Sequence, residues 1–296
     1  MGRRLTLIPA GGKRAPFAIR FGGRQVSMQV DSHHRGTTPR TNGIIYSMLY
    51  LCIPAYNEAP TIGLLLWRIR KVFEAYPREY EILVLDDGST DGTADVLPPY
   101  REVLPLTVLR HDERRGYATA IETLLRTAAQ KTRYPRRDAA VLMQADFTDQ
   151  PEHLPELIKR HEGGADLVVA EQAQPSTAPV PVRRLRRLGR FLLRLYVRVP
   201  GVSDPFGSYR LMRIAVVRDL LKENGDGRLL KGEGWAANVE LVARASRFAR
   251  RIEVVGLDPR YDLRPRATRV RPLAGAMDLY RFGRAARARR AAPTST

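Results

Sequence analysis

Acidic and amide side chains recur in this sequence directly after short apolar runs, the arrangement that gathers polar groups at the end of a strand. The run LYLCIPAYNE (49–58) ends in Pro54, Tyr56, Asn57 and Glu58. Proline cannot donate to a ladder, so Pro54 limits further interior pairing. Tyr56 offers a face for stacking on a base, and Glu58 can accept hydrogen bonds from ring N–H groups. VLDDGSTDGT (84–93) places Asp86 and Asp87 side by side before a Gly/Ser/Thr/Asp turn. Carboxylates there suit ribose hydroxyls or base N–H donors. The spacing and the missing closing Glu exclude an EF-hand calcium loop. MQADFTDQPEHLPEL (143–157) carries Asp146, which can ligate a hard divalent cation such as Mg²⁺ or Mn²⁺ together with substrate phosphates. Three further stretches hold polar groups with less specific patterns. They are DPFGSYRL (204–211) with Asp204 and Arg210, WAANVELVARA (235–245) with Glu240, and YDLRPRATRVR (261–271) with Arg264 and Arg269.

Strands alternating with amphipathic helices must position these groups. Apolar strand runs fall at 49–54, 80–86, 106–111, 139–146 and 166–171. Between them, helical spacing predicts helices over 59–76, over 116–127 and over 154–161, with Thr90, Asp91 and Thr93 as candidate caps for another running to about Leu97. In 59–76 the apolar positions Ile62, Leu65, Leu66, Ile69 and Val72 share one face. Such alternation predicts an α/β fold with a mostly parallel sheet covered by helices. Ligands bind at the carboxyl ends of such strands, where Asn57, Glu58, Asp86, Asp87, His111, Gln144 and Asp146 all fall. Further along, helices are expected over 183–199, 213–222 and 236–248 and a strand over 251–257.

Charge is concentrated rather than spread. The chain of 296 residues has a net charge of +19. Residues 1–47 carry eight Lys/Arg against one acid, 183–198 carry seven arginines and no acid, and 260–290 carry ten arginines against two acids. Those segments exceed the whole net charge, so the motif-bearing remainder is slightly acidic. Nucleic-acid binding is therefore not expected, since the basic runs lie mainly outside the strand-end motifs and no recognition motif is present. The helix over 183–199 sets Leu185, Leu188, Leu192, Leu195, Tyr196 and Val199 on one stripe amid arginines, which suits an anionic membrane surface. No window approaches the ~20 apolar residues of a membrane span. With a single cysteine, Cys52, inside an apolar run, this predicts a cytoplasmic protein, peripheral at the inner face of the membrane. Residues 1–47 read as a disordered basic extension, with Met48 as the expected natural start, 48–271 as the working domain and 272–296 as a basic C-terminal tail.

In order, these motifs resemble family 2 glycosyltransferases, in particular the branch that transfers sugars to dolichyl or polyprenyl phosphate. The resemblance spans roughly 49–271 and rests chiefly on IPAYNE and DDGSTDGT. RRGYATAI (114–121) resembles N-x-G-x-G-x-A, QADFTDQPE resembles D-A-D-L-Q-x-x-P-E, and DPFGSYRL resembles D-x-x-S-G-F-R-L. It implies a GT-A fold, Rossmann-like, with a nucleotide-sugar donor (UDP- or GDP-sugar) and a lipid-phosphate or glycan acceptor. Pro54, Tyr56, Glu58 and Asp87 would hold base and ribose, with Asp86 beside them. Ala145 and Asp146 would sit at the metal and diphosphate, and Arg210, Arg264 and Arg269 would contact phosphates. The resemblance also implies inversion, with Asp146 and the metal stabilising the leaving group. A lipid-phosphate acceptor needs no base, whereas a hydroxyl acceptor would require Asp204 or Glu240 to take its proton. Gln144 stands where the pattern has its first Asp, and Thr148 where it has Gln. A neutral amide is a weaker metal ligand than a carboxylate. The alternative on this fold is a catalytically silent scaffold.

Overall fold

The structure, a computed structural model, describes residues 17–21, 24–28, 47–172, 199, 201–225 and 227–257. The chain divides into two compact units, Met1–Gly43 and Ile44–Thr296. In the first, β1 (Phe17–Phe21) and β2 (Arg24–Met28) pair antiparallel with Phe21 opposite Arg24. Within 1–47, where disorder is expected, residues 17–21 and 24–28 form these two strands. Apolar residues alternate at 17, 19 and 21 and again at 26 and 28, and the two intervening residues are Gly22 and Gly23, a hairpin signature. The abundance of Gly, Arg and Ser around it masked that local pattern.

Among the described residues the second unit is built on a seven-stranded sheet. Its strands are β3 (Leu49–Ala55), β4 (Tyr80–Asp87), β5 (Leu106–His111), β6 (Ala139–Leu142), β7 (Leu167–Gln172), β8 (Arg210–Arg213) and β9 (Ile252–Leu257). Their spatial order is β5-β4-β3-β6-β8-β7-β9. All run parallel except β8, which lies antiparallel between β6 and β7. The chain steps outward from β3 through β4 to β5, then returns to place β6 on the other side of β3. That reversal is the switch point at which a crevice opens beyond the strand ends. β8 was not expected. Its RLMR sequence has arginine at both ends and reads as a loop, yet Arg210, Leu211 and Met212 are buried.

The helices are α1 (Ile62–Ala75), the four-residue α2 (Thr93–Val96) and α3 (Pro98–Arg101), α4 (Tyr117–Lys131), α5 (Leu154–Glu162), α6 (Ile214–Asn224) and α7 (Trp235–Ala245). Tyr50, Cys52, Leu83, Leu85, Ala140, Leu142, Val169 and Met212 join the apolar faces of α4, α6 and α7 in one core. Leu49, Leu51, Ile53, Ile82 and Val84 are equally buried, and strand alternation sends them to the opposite face. There α5 lies against β7 and β8. Burial on both faces explains why the strands read as continuous apolar runs rather than alternating ones. Among the described residues no helix is long and apolar enough to cross a membrane.

Cys52 sits in this core with no exposed surface, and burial pushes its thiol far above the ordinary range. Burial thus disfavours the thiolate that reacts with alkylating reagents, and it shields the sulfur from them. Iodoacetamide labelling followed by mass spectrometry should leave Cys52 unmodified natively and modify it fully in guanidinium. Fast native labelling would contradict this packing.

Candidate active site

The loops after β3 and β4 are joined through one another's backbone. Asn57, in the left-handed region at φ 53 that Asn tolerates, donates its N–H to Ser89 Oγ (2.9 Å). Its own Oδ1 accepts the Thr90 N–H (2.9 Å). Glu58 N–H donates to Thr93 Oγ1 (2.8 Å) and Ala59 N–H to Asp91 Oδ2 (3.1 Å). The Glu58 carboxylate, expected to face a ring N–H, is buried and accepts Thr61 Oγ1 at 3.0 Å at the start of α1. The Arg114 guanidinium lies over one face of the Tyr56 ring, 4.3 Å from its centroid. Pro54 stays in β3 and pairs with Leu85. By strand alternation its missing donor faces β6, where pairing has stopped at Leu142.

The adjacent acids divide their work. Asp86 is fully buried; its Oδ1 accepts the Ser89 N–H at 3.0 Å. Asp86 Oδ2 makes no hydrogen bond, and Arg110 Nε lies 3.6 Å away. Asp87 faces the other way and uses both oxygens. It meets His111 Nδ1 at 2.7 Å and accepts the backbone N–H groups of Arg115 and Gly116, each at 2.9 Å. It thereby anchors the loop between β5 and α4. Gly88, at φ +69, lets that loop lie backbone to backbone on the turn: a Cβ there would come within 2.6 Å of Arg114 N and Glu113 C.

The loop after β6 closes on itself. Phe147 takes φ 63, unusual for an aromatic residue, and is buried. Asp146 Oδ1 accepts both the N–H (3.1 Å) and the Oγ1 hydroxyl (2.6 Å) of Thr148. Thr148, where the family pattern has Gln, thus orients Asp146. Asp149 Oδ2 accepts the Gln144 N–H at 2.9 Å and the Ser208 hydroxyl at 2.6 Å, tying the loop to the segment before β8. Asp146 is only 8% exposed and Ala145 is buried beside it. The hard oxygens of Asp146 and the Gln144 amide fit Mg²⁺ or Mn²⁺ shared with substrate phosphates. Among the described residues no three His, Cys, Asp or Glu side chains cluster to hold an ion by themselves.

Three residues expected to meet substrate are turned toward the protein. Arg210 is fully buried, and its guanidinium donates to the carbonyls of Gly207, Ser208 (3.1 Å) and Asn238 (2.8 Å). Burial pulls its pKa down to about 10, so it stays charged at neutral pH. Arg210, expected to contact phosphate, here clamps the β8 entry to α7. Glu240 Oε2 accepts the N–H groups of Lys231 (2.8 Å) and Gly232 (3.1 Å), which makes it a holder of that turn. Asp204 is buried; its Oδ1 accepts the Phe206 N–H at 3.3 Å, and its own N–H donates to Glu171 at 3.0 Å. Arg264, Arg269 and all of the segment 183–199, where a basic helix is expected, except Val199 lie outside the described residues.

Sequence reasoning did not single out Asp149, Ser208, Tyr117, Asn238 and Arg114. Tyr117 donates its hydroxyl to Asn238 Oδ1 (3.0 Å), and Asn238 Nδ2 donates to Phe206 O (3.0 Å). Burial pushes the Tyr117 phenol well up, while the Arg210 cation pulls the other way. All five lie within or beside the quoted motifs, but only folded proximity selects them.

Two outcomes follow. Gly88→Ala should cost about 1–2 kcal/mol from the left-handed backbone alone, more with the displaced loop, read as a lowered Tm. Arg210→Lys, which cannot span three carbonyls, should destabilise by about 2 kcal/mol or more in urea unfolding. An unchanged midpoint would refute the clamp.

The family model for glycosyl transferase family 2 matches residues 50–221. A bactoprenol glucosyl transferase of Shigella phage SfV is 28% identical over 206 residues, covering 67% of this chain and 64% of the phage protein. An SfII prophage-derived bactoprenol glucosyl transferase of Shigella flexneri matches equally, at 28% identity over 67% of this chain and 63% of its own length. The chain therefore spans slightly less than two thirds of these curated relatives. Among solved structures, mannosyl-3-phosphoglycerate synthase from Rubrobacter xylanophilus superposes with a TM-score of 0.59 at 18% identity, over 85% of this chain and 77% of that one. Glucosyl-3-phosphoglycerate synthase from Mycobacterium tuberculosis, in complex with UDP, gives 0.52 at 20% identity over 80% of each. These likenesses show the expected GT-A architecture. With more than half its length matched by the family model and the family's motifs gathered at one edge of one sheet, the chain belongs to glycosyl transferase family 2.

Proposed function

We propose that this chain transfers a sugar from a nucleoside-diphosphate sugar to a polyprenyl phosphate, with inversion at the anomeric carbon. The observation that carries the reading is convergence at the β3/β6 switch point. The Tyr56–Glu58, Asp86–Thr93 and Gln144–Asp149 segments leave neighbouring parallel strands at the same edge. The bactoprenol glucosyl transferases among its relatives point to the lipid-phosphate acceptor.

In this reading the base and ribose lie against Tyr56, Asp86 and the loop that Asp87 anchors, with Pro54 and Glu58 shaping the wall. Asp146, with Ala145 and Gln144, faces the diphosphate. Mg²⁺ or Mn²⁺ bound there would supply positive charge to the departing diphosphate. An acceptor phosphate oxygen attacks the anomeric carbon as the bond from that carbon to the diphosphate oxygen breaks, releasing a nucleoside diphosphate. The attacking oxygen is already anionic, so no side chain has to remove a proton. The backbone duties of Asp204 and Glu240 favour this acceptor over a hydroxyl. The arginines of 183–198, 264 and 269 are proposed to meet the lipid phosphate and the membrane surface, where the protein would bind peripherally from the cytoplasmic side.

A screen of UDP- and GDP-sugars with Mg²⁺ or Mn²⁺, with and without polyprenyl phosphate, tests the reading. Lipid-linked product formed only when polyprenyl phosphate is present is expected; turnover confined to hydroxyl acceptors would overturn it. Asp146→Asn should lower kcat by about 100-fold or more, and full activity in that variant would remove Asp146 from its role.

A further inference from the structure

We infer that His111 is a positioning residue for the nucleotide side of the site, acting through Asp87. The inference rests on the reading that the edge carrying Tyr56 and Asp86 receives the donor. His111 closes β5 directly opposite Asp87 in the parallel register. It is 8% exposed, and its Nδ1 lies 2.7 Å from Asp87 Oδ1. An ionised carboxylate only accepts, so Nδ1 carries the proton of that bond. Across the ring, Nε2 lies 3.4 Å from Thr123 Oγ1 on α4. The imidazole therefore bridges the end of the sheet and the first turns of α4.

Asp87 passes this constraint on. Oδ1, the oxygen that meets His111, also holds the Arg115 N–H, and Oδ2 holds the Gly116 N–H. Those two amides fix the end of the 112–116 loop at the point where Gly116, at φ +93, turns the chain into α4. The same loop carries Arg114, whose guanidinium lies on the Tyr56 ring. Contacts thus run from His111 through Asp87 and the loop backbone to Arg114 and Tyr56. Without the Nδ1 donor, Asp87 loses the bond that aims its carboxylate, and the loop loses its fixed distance from Tyr56.

Two substitutions separate a donor from a filler of space. In His111→Asn the amide nitrogen can occupy the Nδ1 position, whereas His111→Leu keeps bulk and loses the donor. Hydrogen exchange of the 112–117 backbone amides and calorimetric binding of UDP and of GDP are measured on each full-length variant. In His111→Leu, exchange should rise about tenfold and nucleotide affinity fall about tenfold, the scale of one hydrogen bond to a charged group. His111→Asn should recover most of both. Unchanged exchange and affinity in His111→Leu, or equal damage in the two variants, would overturn the inference. If His111→Leu does not fold, His111→Gln, with its donor displaced by one methylene, takes its place, and wild-type behaviour in it would be equally fatal. Wild-type protein binding neither nucleotide would refute the donor-site reading. The exchange data would then still decide whether His111 anchors the loop.

Discussion

A parallel sheet ends each strand in a loop whose backbone N–H groups have lost their ladder partners, and every buried one must find an acceptor. In this protein side-chain oxygens of the same or neighbouring loops meet that demand. The N–H groups of Asn57, Glu58 and Ala59 go to Ser89, Thr93 and Asp91, and those of Arg115 and Gly116 go to Asp87. The N–H groups of Gln144 and Thr148 go to Asp149 and Asp146. The edge of the sheet is thus a mutually supported set of loops, and the candidate site is that set.

This constraint sorts the acids that looked alike in the sequence. Asp87, Asp149 and Glu240 bind backbone amides and set the shape of the site. Asp86 holds its turn through one oxygen while the other makes no hydrogen bond beside Arg110. Asp146 is oriented by Thr148 at the switch point. The same logic turns Arg210 inward. A guanidinium can satisfy several carbonyls of irregular backbone at once, and here it joins the β8 entry to α7.

Much of the frame was legible. Runs such as LYLCIP and EILVLD are buried on both faces and correspond to β3 and β4, and α1 and α4 follow their apolar stripes. Some elements were not. The β1–β2 pair lies in a stretch whose overall composition suggests disorder. β8 is short, and arginine at each end hides its apolar centre. There a local signal was too brief to outweigh its surroundings.

Alone, the sequence determined the fold class, the strand-end placement of the acidic motifs and the family resemblance. Each depends on residue types and spacings along the chain. Only the tertiary structure decided which oxygen faces which partner. Asp87 and His111 are 24 residues apart, Ser208 and Asp149 59, and Tyr117 and Asn238 121. Such pairs meet because sheet order and register bring loop ends together, and no periodicity in the chain encodes the direction a carboxylate will turn.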